Sequence, residues 1–206
     1  MAPHLNPQSY ITYDILDSSD FCLQQWVKIN NNPPYFVRKR YHSTLEDAVV
    51  PQEEYDVIWS IHSLHNVNKN VLKMSLTKLC YGLKRNGTGI ILIADSNSFY
   101  CSFYRQFIHL YEKEIPEWLN GDDITAAMQS LGIPFEVKKL NFNHRIHVED
   151  EHVLATYLGK NAYEPCSPLN FWFDNKRMKA FLRQFLVEHE YVFPQQISVI
   201  LFHVKS

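Results

Sequence analysis

The chain has 206 residues, of which 46% are hydrophobic and 20% charged, and its formal net charge is −2. This composition is that of an ordinary globular protein, and it favours neither nucleic acid nor an anionic membrane as a partner. No segment has the roughly 20 apolar residues that cross a bilayer, no secretory signal is recognisable, and four unpaired-looking cysteines indicate the cytoplasm.

The first elements of the chain are predicted to alternate between strand and helix. Residues 10–17 alternate and are rich in β-branched side chains, which is typical of a short strand. N-capping residues at 17–20 then open an amphipathic helix over 21–29, and the Asn-Pro turn at 30–34 ends it. Alternation over 35–41 predicts a second strand.

The next block predicts a βαβ unit. Residues 55–62 form a nearly continuous apolar run, which is typical of a strand buried on both faces of a parallel sheet. Apolar residues at helical spacing predict a helix over 71–83. A turn predicted at 86–89 leads into a second apolar strand over 90–95. We therefore expect an α/β fold with a doubly wound, mostly parallel sheet.

Beyond Asp95 the pattern is less regular, although the chain length still suits a single domain. Three helices are predicted, over 99–114, 122–131 and 176–189. Two strands are predicted, over 135–140 and 196–204.

Polar residues directly after the strands are the candidates for ligand contacts, because ligands of open parallel sheets bind beyond the carboxyl ends of the strands. Asp17 ends the first strand, where it could accept hydrogen bonds from ribose hydroxyls or cap the following helix. Ser43 and Thr44 follow the second strand, and they resemble the start of a capping box. The residues alone leave these alternatives open.

The densest polar cluster at a strand end contains His62, His65 and Asn66. Such groups could orient a polar nucleophile in a pocket, or they could belong to a solvated loop. The HxxH spacing also suggests a metal site, together with histidines and acids at 144–152. Metal ligands have to converge, and no second pair is known to face the first, so we expect no metal site. No nucleophile elbow, phosphate-binding loop or HExxH motif favours hydrolysis or phosphotransfer.

Four stretches of the sequence carry a resemblance to a known family. Residues 55–67, YDVIWSIHSLHNV, resemble the fourth-strand block of class I S-adenosylmethionine (SAM) methyltransferases, and residues 84–93 resemble the segment that leads into their fifth strand. With residues 118–133 and 196–204, the chain more narrowly resembles the histamine N-methyltransferase-like family. The resemblance covers nearly the whole chain and lies in the order and spacing of the motifs.

The resemblance implies a Rossmann-like domain over 1–206, in which 1–95 supply part of the cofactor-binding sheet and 96–206 the substrate-side helices and C-terminal strands. It implies SAM as the cofactor and methyl transfer to a small molecule, with an amine nitrogen as the expected acceptor. His62 and His65 would orient the acceptor rather than act as strong bases. The residues implied for SAM are Asp17, Ser43, Thr44 and Ile61, and those for the substrate are His62, His65, Asn66, Tyr100, Tyr104 and Gln195.

One part of the family pattern has no counterpart here. The glycine-rich loop that approaches the methionine part of SAM is not found, since the sequence opens just before the strand that matches the family's second. The chain is thus expected to be a methyltransferase, a non-catalytic binding or regulatory protein with the same sheet, or the product of a truncated reading frame. An N-terminally incomplete sheet would expose an apolar edge, which predicts self-association.

Overall fold

The computed structural model describes residues 10–115 and 118–204, and these residues form two compact units divided between Pro51 and Gln52. Each unit contains its own sheet. The expectation of a single domain stays a prediction.

The first unit is a βαβ arrangement. Strand β1 (Ile11–Asp17), helix α1 (Asp20–Asn30) and strand β2 (Tyr35–His42) follow one another, and β1 pairs with β2 in parallel. Ser19 caps α1, because its hydroxyl oxygen accepts a hydrogen bond from the N–H of Cys22. The three elements predicted for this part of the chain are confirmed.

The second unit is built on a five-stranded sheet. Its strands are β3 (Tyr55–Ile61), β4 (Leu83–Ala94), β5 (Phe135–His147), β6 (Leu186–Val187) and β7 (Glu190–His203). The spatial order is β3-β4-β7-β5, with β6 also beside β7. Strands β3 and β4 are parallel, whereas β7 is antiparallel to β4, β5 and β6, so every strand of this sheet except β7 runs in one direction. The predicted α/β class with a mostly parallel sheet is confirmed.

The described residues of the second unit form six α-helices. They are α2 (Leu72–Gly82), α3 (Phe99–Leu110), α4 (Gly121–Leu131), α5 (Glu151–Asn161), α6 (Leu169–Asp174) and α7 (Lys176–Arg183). Helix α4 has a capping box between Asn120 and Asp123 and ends at Gly132, whose φ of 65° suits glycine. No helix in the described ranges is long and apolar enough to cross a membrane.

Several predicted boundaries are wrong. The turn predicted at 86–89 lies within β4. Strand β3 pairs with β4 at Tyr55–Leu83 and next at Val57–Thr88, so residues 84–87 form an irregularity in the pairing. The helix predicted over 176–189 ends at residue 183, where the chain turns into the β6–β7 hairpin. The strand predicted over 135–140 continues to residue 147, because β7 offers a partner along its whole length. Helices α5 and α6 were not predicted.

An aromatic core fixes helix α3 against the sheet. Phe99, Phe103 and Phe107 of α3 are buried with Trp172 of α6 and Phe193 of β7. The rings of Phe99 and Phe193 lie 4.1 Å apart, and those of Phe103 and Trp172 lie 5.6 Å apart. Large buried rings contribute strongly to stability, so the orientation of α3 is well determined. That orientation decides where Tyr100 and Tyr104 lie.

The four cysteines are free, as their spacing predicts. Burial raises the pKa of the Cys101 thiol to about 12, which keeps it protonated and makes it a poor nucleophile. Cys22 and Cys166 are exposed, and Cys80 is half-buried. The side chains give no support to cysteine-based catalysis.

Candidate functional site

His62 lies immediately after β3, in a strained backbone conformation. Its φ is 49°, a left-handed value that non-glycine residues rarely adopt. Its N–H donates a hydrogen bond to the carbonyl of Leu92 in β4, at 2.8 Å. Such conformations persist only where the surrounding structure holds them, and they are most frequent at functional sites. His62 is thus held at the carboxyl ends of β3 and β4.

His65 lies in the short 3-10 turn Leu64–Asn66, beside the ring of Trp118 and the hydroxyl of Tyr163. Its imidazole centroid lies 4.7 Å from that of Trp118, which stacks on Tyr104 at 4.3 Å. The ring of Tyr163 lies 5.7 Å from that of Trp118, and its hydroxyl lies 3.0 Å from Nε2 of His65. Sequence reasoning did not assign Trp118 or Tyr163 to the site.

Hydrogen bonds determine which nitrogen of His65 carries the proton. The hydroxyl of Tyr163 donates to Oδ1 of Asn66 at 2.5 Å, so its oxygen accepts from Nε2–H of His65. Among the described residues, none forms a hydrogen bond with Nδ1 of His65. Burial, with a smaller contribution from His62, lowers the pKa of His65 to about 4. Burial also lowers the pKa of His62. The cluster therefore presents uncharged imidazoles at neutral pH.

Tyr100 and Tyr104 lie four residues apart on α3 and hence on the same helix face. Tyr104 stacks on Trp118, and the ring of Tyr100 meets that of His62 edge-on at 6.4 Å. The structure therefore brings together most of the residues predicted for the substrate. They are His62, His65, Asn66, Tyr100 and Tyr104.

Gln195 of β7 lies beneath the start of α3 and is only 2% exposed. Its Oε1 accepts hydrogen bonds from the Ser98 hydroxyl at 2.5 Å and from the Tyr100 N–H at 3.4 Å. Its Nε2 donates to the Tyr157 hydroxyl at 2.8 Å. The side chain thus caps α3 from another element. A direct contact between Gln195 and a substrate stays a prediction, because both ends of the amide are used within the protein.

In the first unit, the residues predicted for the cofactor meet at the carboxyl ends of β1 and β2. Ser43 N–H donates to the carbonyl of Asp17 at 3.1 Å, and Oδ1 of Asp17 accepts from Ser19 N–H at 2.8 Å. The second carboxylate oxygen of Asp17 has no hydrogen bond to any residue that the structure describes. Thr44 donates to the Asp47 side chain at 3.0 Å, which is the local capping arrangement that the sequence offered as one alternative.

Ile61, which was also predicted to contact the cofactor, is the last residue of β3 and lies on an exposed face of that strand. Val57, Trp59 and Ile61 alternate along the strand and are 53%, 57% and 54% exposed. The sequence predicted that both faces of β3 are buried, and this is wrong for the face that carries Val57, Trp59 and Ile61. The opposite face carries Ser60, which is buried, and helix α2 contacts the strand. Within the described ranges, β3 pairs with β4 alone.

The residues of the metal alternative do not converge. Within 10–115 and 118–204 there is no group of three or more His, Cys, Asp or Glu side chains that could hold a metal ion. His144 instead stacks on Tyr157 at 4.3 Å and 9°. The ring of His147 lies 6.3 Å from that of His189.

Comparison with known proteins supports the fold. No protein-family model and no curated protein sequence matches this chain. Among solved structures, a candidate methyltransferase from Bacillus halodurans superposes with a TM-score of 0.58 at 11% identity, over 95% of this chain and 84% of that one. The chain has a methyltransferase fold.

Two further structures of this fold are named for particular substrates. A candidate sarcosine dimethylglycine methyltransferase from Galdieria sulphuraria matches with a TM-score of 0.51 and 15% identity, over 93% of this chain and 69% of that one. A SAM-dependent methyltransferase from Thermotoga maritima, named as a possible histamine N-methyltransferase, matches with a TM-score of 0.51 and 16% identity, over 93% and 72%. Identities this low show a shared fold, and the names describe those proteins.

Proposed function

We propose that the protein is a SAM-dependent methyltransferase that acts on a small molecule, with an amine nitrogen as the methyl acceptor. The observation that carries this proposal is the cluster of uncharged imidazoles and aromatic rings around His65 and Tyr104, at the carboxyl ends of β3 and β4. The shared fold adds support, since two of the similar structures are named for sarcosine, dimethylglycine or histamine, all of which are amines.

The residues at the end of β1 and β2 suit the ribose and adenine parts of SAM. Ser19 supplies the cap of α1, so the second carboxylate oxygen of Asp17, which has no hydrogen bond to a described residue, can accept hydrogen bonds from ribose hydroxyls. Ser43 and Thr44 lie beside it and would contact the adenine side. A contact of Ile61, which belongs to the second unit, with the adenine stays a prediction.

Methyl transfer depends more on the relative position of the donor and the acceptor than on strong acids or bases. Bound SAM would supply an electrophilic methyl group, and the protein has to present the acceptor's lone pair to it without competing water. A protonated amine has no lone pair, so the acceptor has to be neutral. Nδ1 of His65 would accept a hydrogen bond from a neutral amine and hold it, and the rings of Trp118 and Tyr104 would cover one side of the bound amine.

Transfer of labelled methyl groups from SAM to a panel of small amines tests the proposal. We expect incorporation with at least one amine, and a loss of about tenfold or more in kcat/KM for His65→Leu. His152→Gln, a substitution at an exposed histidine of α5, serves as the control and should leave kcat/KM unchanged. Binding of SAM without methylation of any amine would contradict the assignment of the acceptor.

A second candidate is a non-catalytic binding protein, which the open face of β3 favours. Within the described ranges β3 pairs with β4 alone, and its exposed apolar side chains form a surface that another chain can cover; a second copy is the occupant we expect. Trp59→Lys should reduce self-association in sedimentation velocity, whereas Trp26→Lys, on α1, should not. A wild-type protein that stays monomeric at every concentration would contradict self-association.

A further inference from the structure

A cavity of about 290 Å³ lies between the loop after β4 and strands β5 and β7, and side-chain amides line it. Asn97 of the loop, Asn141 and Asn143 of β5, and Gln196 of β7 contribute these amides, so we call the cavity the amide pocket. Its volume is close to that of the smallest pockets that hold small organic ligands. None of the four residues belongs to the cluster around His65.

The amide pocket lies at the carboxyl end of β4, the edge of a parallel sheet at which ligands bind. The N–H of Asp95, the first residue after β4, donates to the carbonyl of Gln196 at 2.9 Å. The paired residues 142–147 of β5 and 190–195 of β7 therefore continue past the end of β4. Asn97 lies two residues after Asp95, so the loop and the two strands border the same space.

Asn141 and Gln196 are direct partners in the pairing of β5 with β7, so their side chains lie side by side on one face of the sheet. Nε2 of Gln196 donates to Oδ1 of Asn141 at 3.0 Å. This bond leaves the Oε1 acceptor of Gln196 and the Nδ2 donor of Asn141 without a hydrogen bond to any residue that the structure describes. If both amides were turned the other way, their roles would exchange, but one acceptor and one donor would still remain. The pair therefore offers a donor beside an acceptor.

The cations at the two ends of this row of amides are neutralised. Side chains at every second position of β5 share a face, so Lys139 and Arg145 lie on the face of the amide pocket. Lys139 forms an ion pair with the buried carboxylate of Asp95 at 2.7 Å. Arg145 forms an ion pair with Glu190 at 2.9 Å. Side-chain amides carry no charge, so the ligand that suits this pocket is neutral.

We propose that the amide pocket binds a neutral small molecule in which an N–H group lies beside a carbonyl group. Primary carboxamides, lactams, imides and pyrimidine bases belong to this class. The ligand carbonyl accepts from Nδ2 of Asn141, and the ligand N–H donates to Oε1 of Gln196. A single side-chain amide recognises a donor and an acceptor on the edge of a base in the same way. The amides of Asn97 and Asn143 form no hydrogen bond with a described residue, and they are available for further polar atoms of the ligand.

Uracil and its N,N′-dimethyl derivative test the ligand class, because they share a ring and its carbonyl groups but only uracil has N–H groups. Binding can be followed by NMR of nitrogen-15-labelled side chains. We expect uracil to shift the amide resonances of Asn141 and Gln196 saturably, and the dimethyl derivative to bind about tenfold more weakly. Equal affinity for the two rings, or no saturable shift with uracil, would overturn the proposal. Shifts confined to the imidazoles of His62 and His65 would place the probe at that cluster and would overturn it too.

Asn141→Asp tests the donor, because a carboxylate still accepts the bond from Gln196 but has no N–H for the ligand. We expect the affinity for uracil to fall about tenfold. Asn175→Asp is the matched control: the side-chain oxygen of Asn175 accepts from the N–H groups of Arg177 and Met178, and an aspartate keeps those bonds. Unchanged affinity in Asn141→Asp, or an equal loss in the control, would contradict the assignment of the donor. Neither experiment uses SAM or methyl transfer, so the result is independent of the proposed function.

Discussion

Two polar clusters lie at the carboxyl ends of neighbouring strands in the second unit, and they differ in how completely their polar groups are satisfied. After β4, Asp95 is 1% exposed, and its carboxylate accepts hydrogen bonds from Ser198 at 2.5 Å and from Lys139 at 2.7 Å. After β3, Nδ1 of His65 has no hydrogen bond to any residue that the structure describes. Position at a strand end therefore indicates where polar groups gather, and we expect an unsatisfied polar group to mark the cluster that binds a ligand.

The largest expected effect on stability comes from removing the ion pair in the cluster after β4. Lys139→Met leaves the Asp95 carboxylate buried without its cation, and we expect the free energy of unfolding to fall by about 3 kcal/mol. Urea denaturation measures this change. Lys138→Met, one position earlier on the opposite face of β5, is the matched control and should cost far less. Equal losses for the two variants would mean that the ion pair does not stabilise the fold.

The second prediction concerns the cluster after β3, which contains His65, and the dependence of the protein's stability on pH. Unfolded His65 binds a proton near its ordinary pKa of 6.5, but folded His65 binds one only near 4. The unfolded state thus gains protons first, so the free energy of unfolding should fall as the pH drops from 6.5 towards 4. We expect a loss of about 2 kcal/mol, less than the full shift because His65 keeps some solvent contact.

Two variants test whether His65 causes this pH dependence of stability. His65→Gln should remove most of the loss in acid, whereas His152→Gln, at an exposed position, should keep it. The measurement is urea denaturation at a series of pH values. The attribution to His65 fails if both variants lose stability in acid as the wild type does.

The smallest expected effect on stability comes from a substitution in the cluster after β3. Tyr163→Phe removes the hydroxyl that joins His65 to Asn66, at a cost of about 1 kcal/mol in the free energy of unfolding. Nitrogen-15 NMR of the imidazole should then report a mixture of tautomers instead of one with the proton on Nε2. Tyr111→Phe, whose hydroxyl donates to the carbonyl of Phe171, is the control. An unchanged tautomer in Tyr163→Phe would contradict the hydrogen-bond assignment.

The fold could be predicted where local patterns decide the structure. Alternation and capping were enough for β1, α1 and β2, and apolar runs for β3 and the core of β4, because those elements follow from neighbouring residues. The ends of β5 and α7 could not be predicted in the same way. They depend on pairing with β7, a contact between distant parts of the chain.

The candidate site could be predicted only for residues at strand ends. His62, His65 and Asn66 follow β3 directly, but Tyr163 reaches His65 from 98 residues away. A local signal for Tyr163 exists in the structure: its φ is 57°, in a turn after α5 where Glu164 N–H bonds to the carbonyl of Gly159. Glycine usually occupies that position, so a tyrosine there indicates a need for the side chain.

Binding of SAM, measured by isothermal titration calorimetry, tests the central claim most directly. We predict saturable binding at one site, weakened about tenfold in Asp17→Asn, which keeps an oxygen for Ser19 N–H but loses the charge towards the ribose. Asp20→Asn, in the first turn of α1, is the control and should bind as the wild type does. No heat of binding at millimolar SAM, or equal affinity for wild type and Asp17→Asn, would contradict the account.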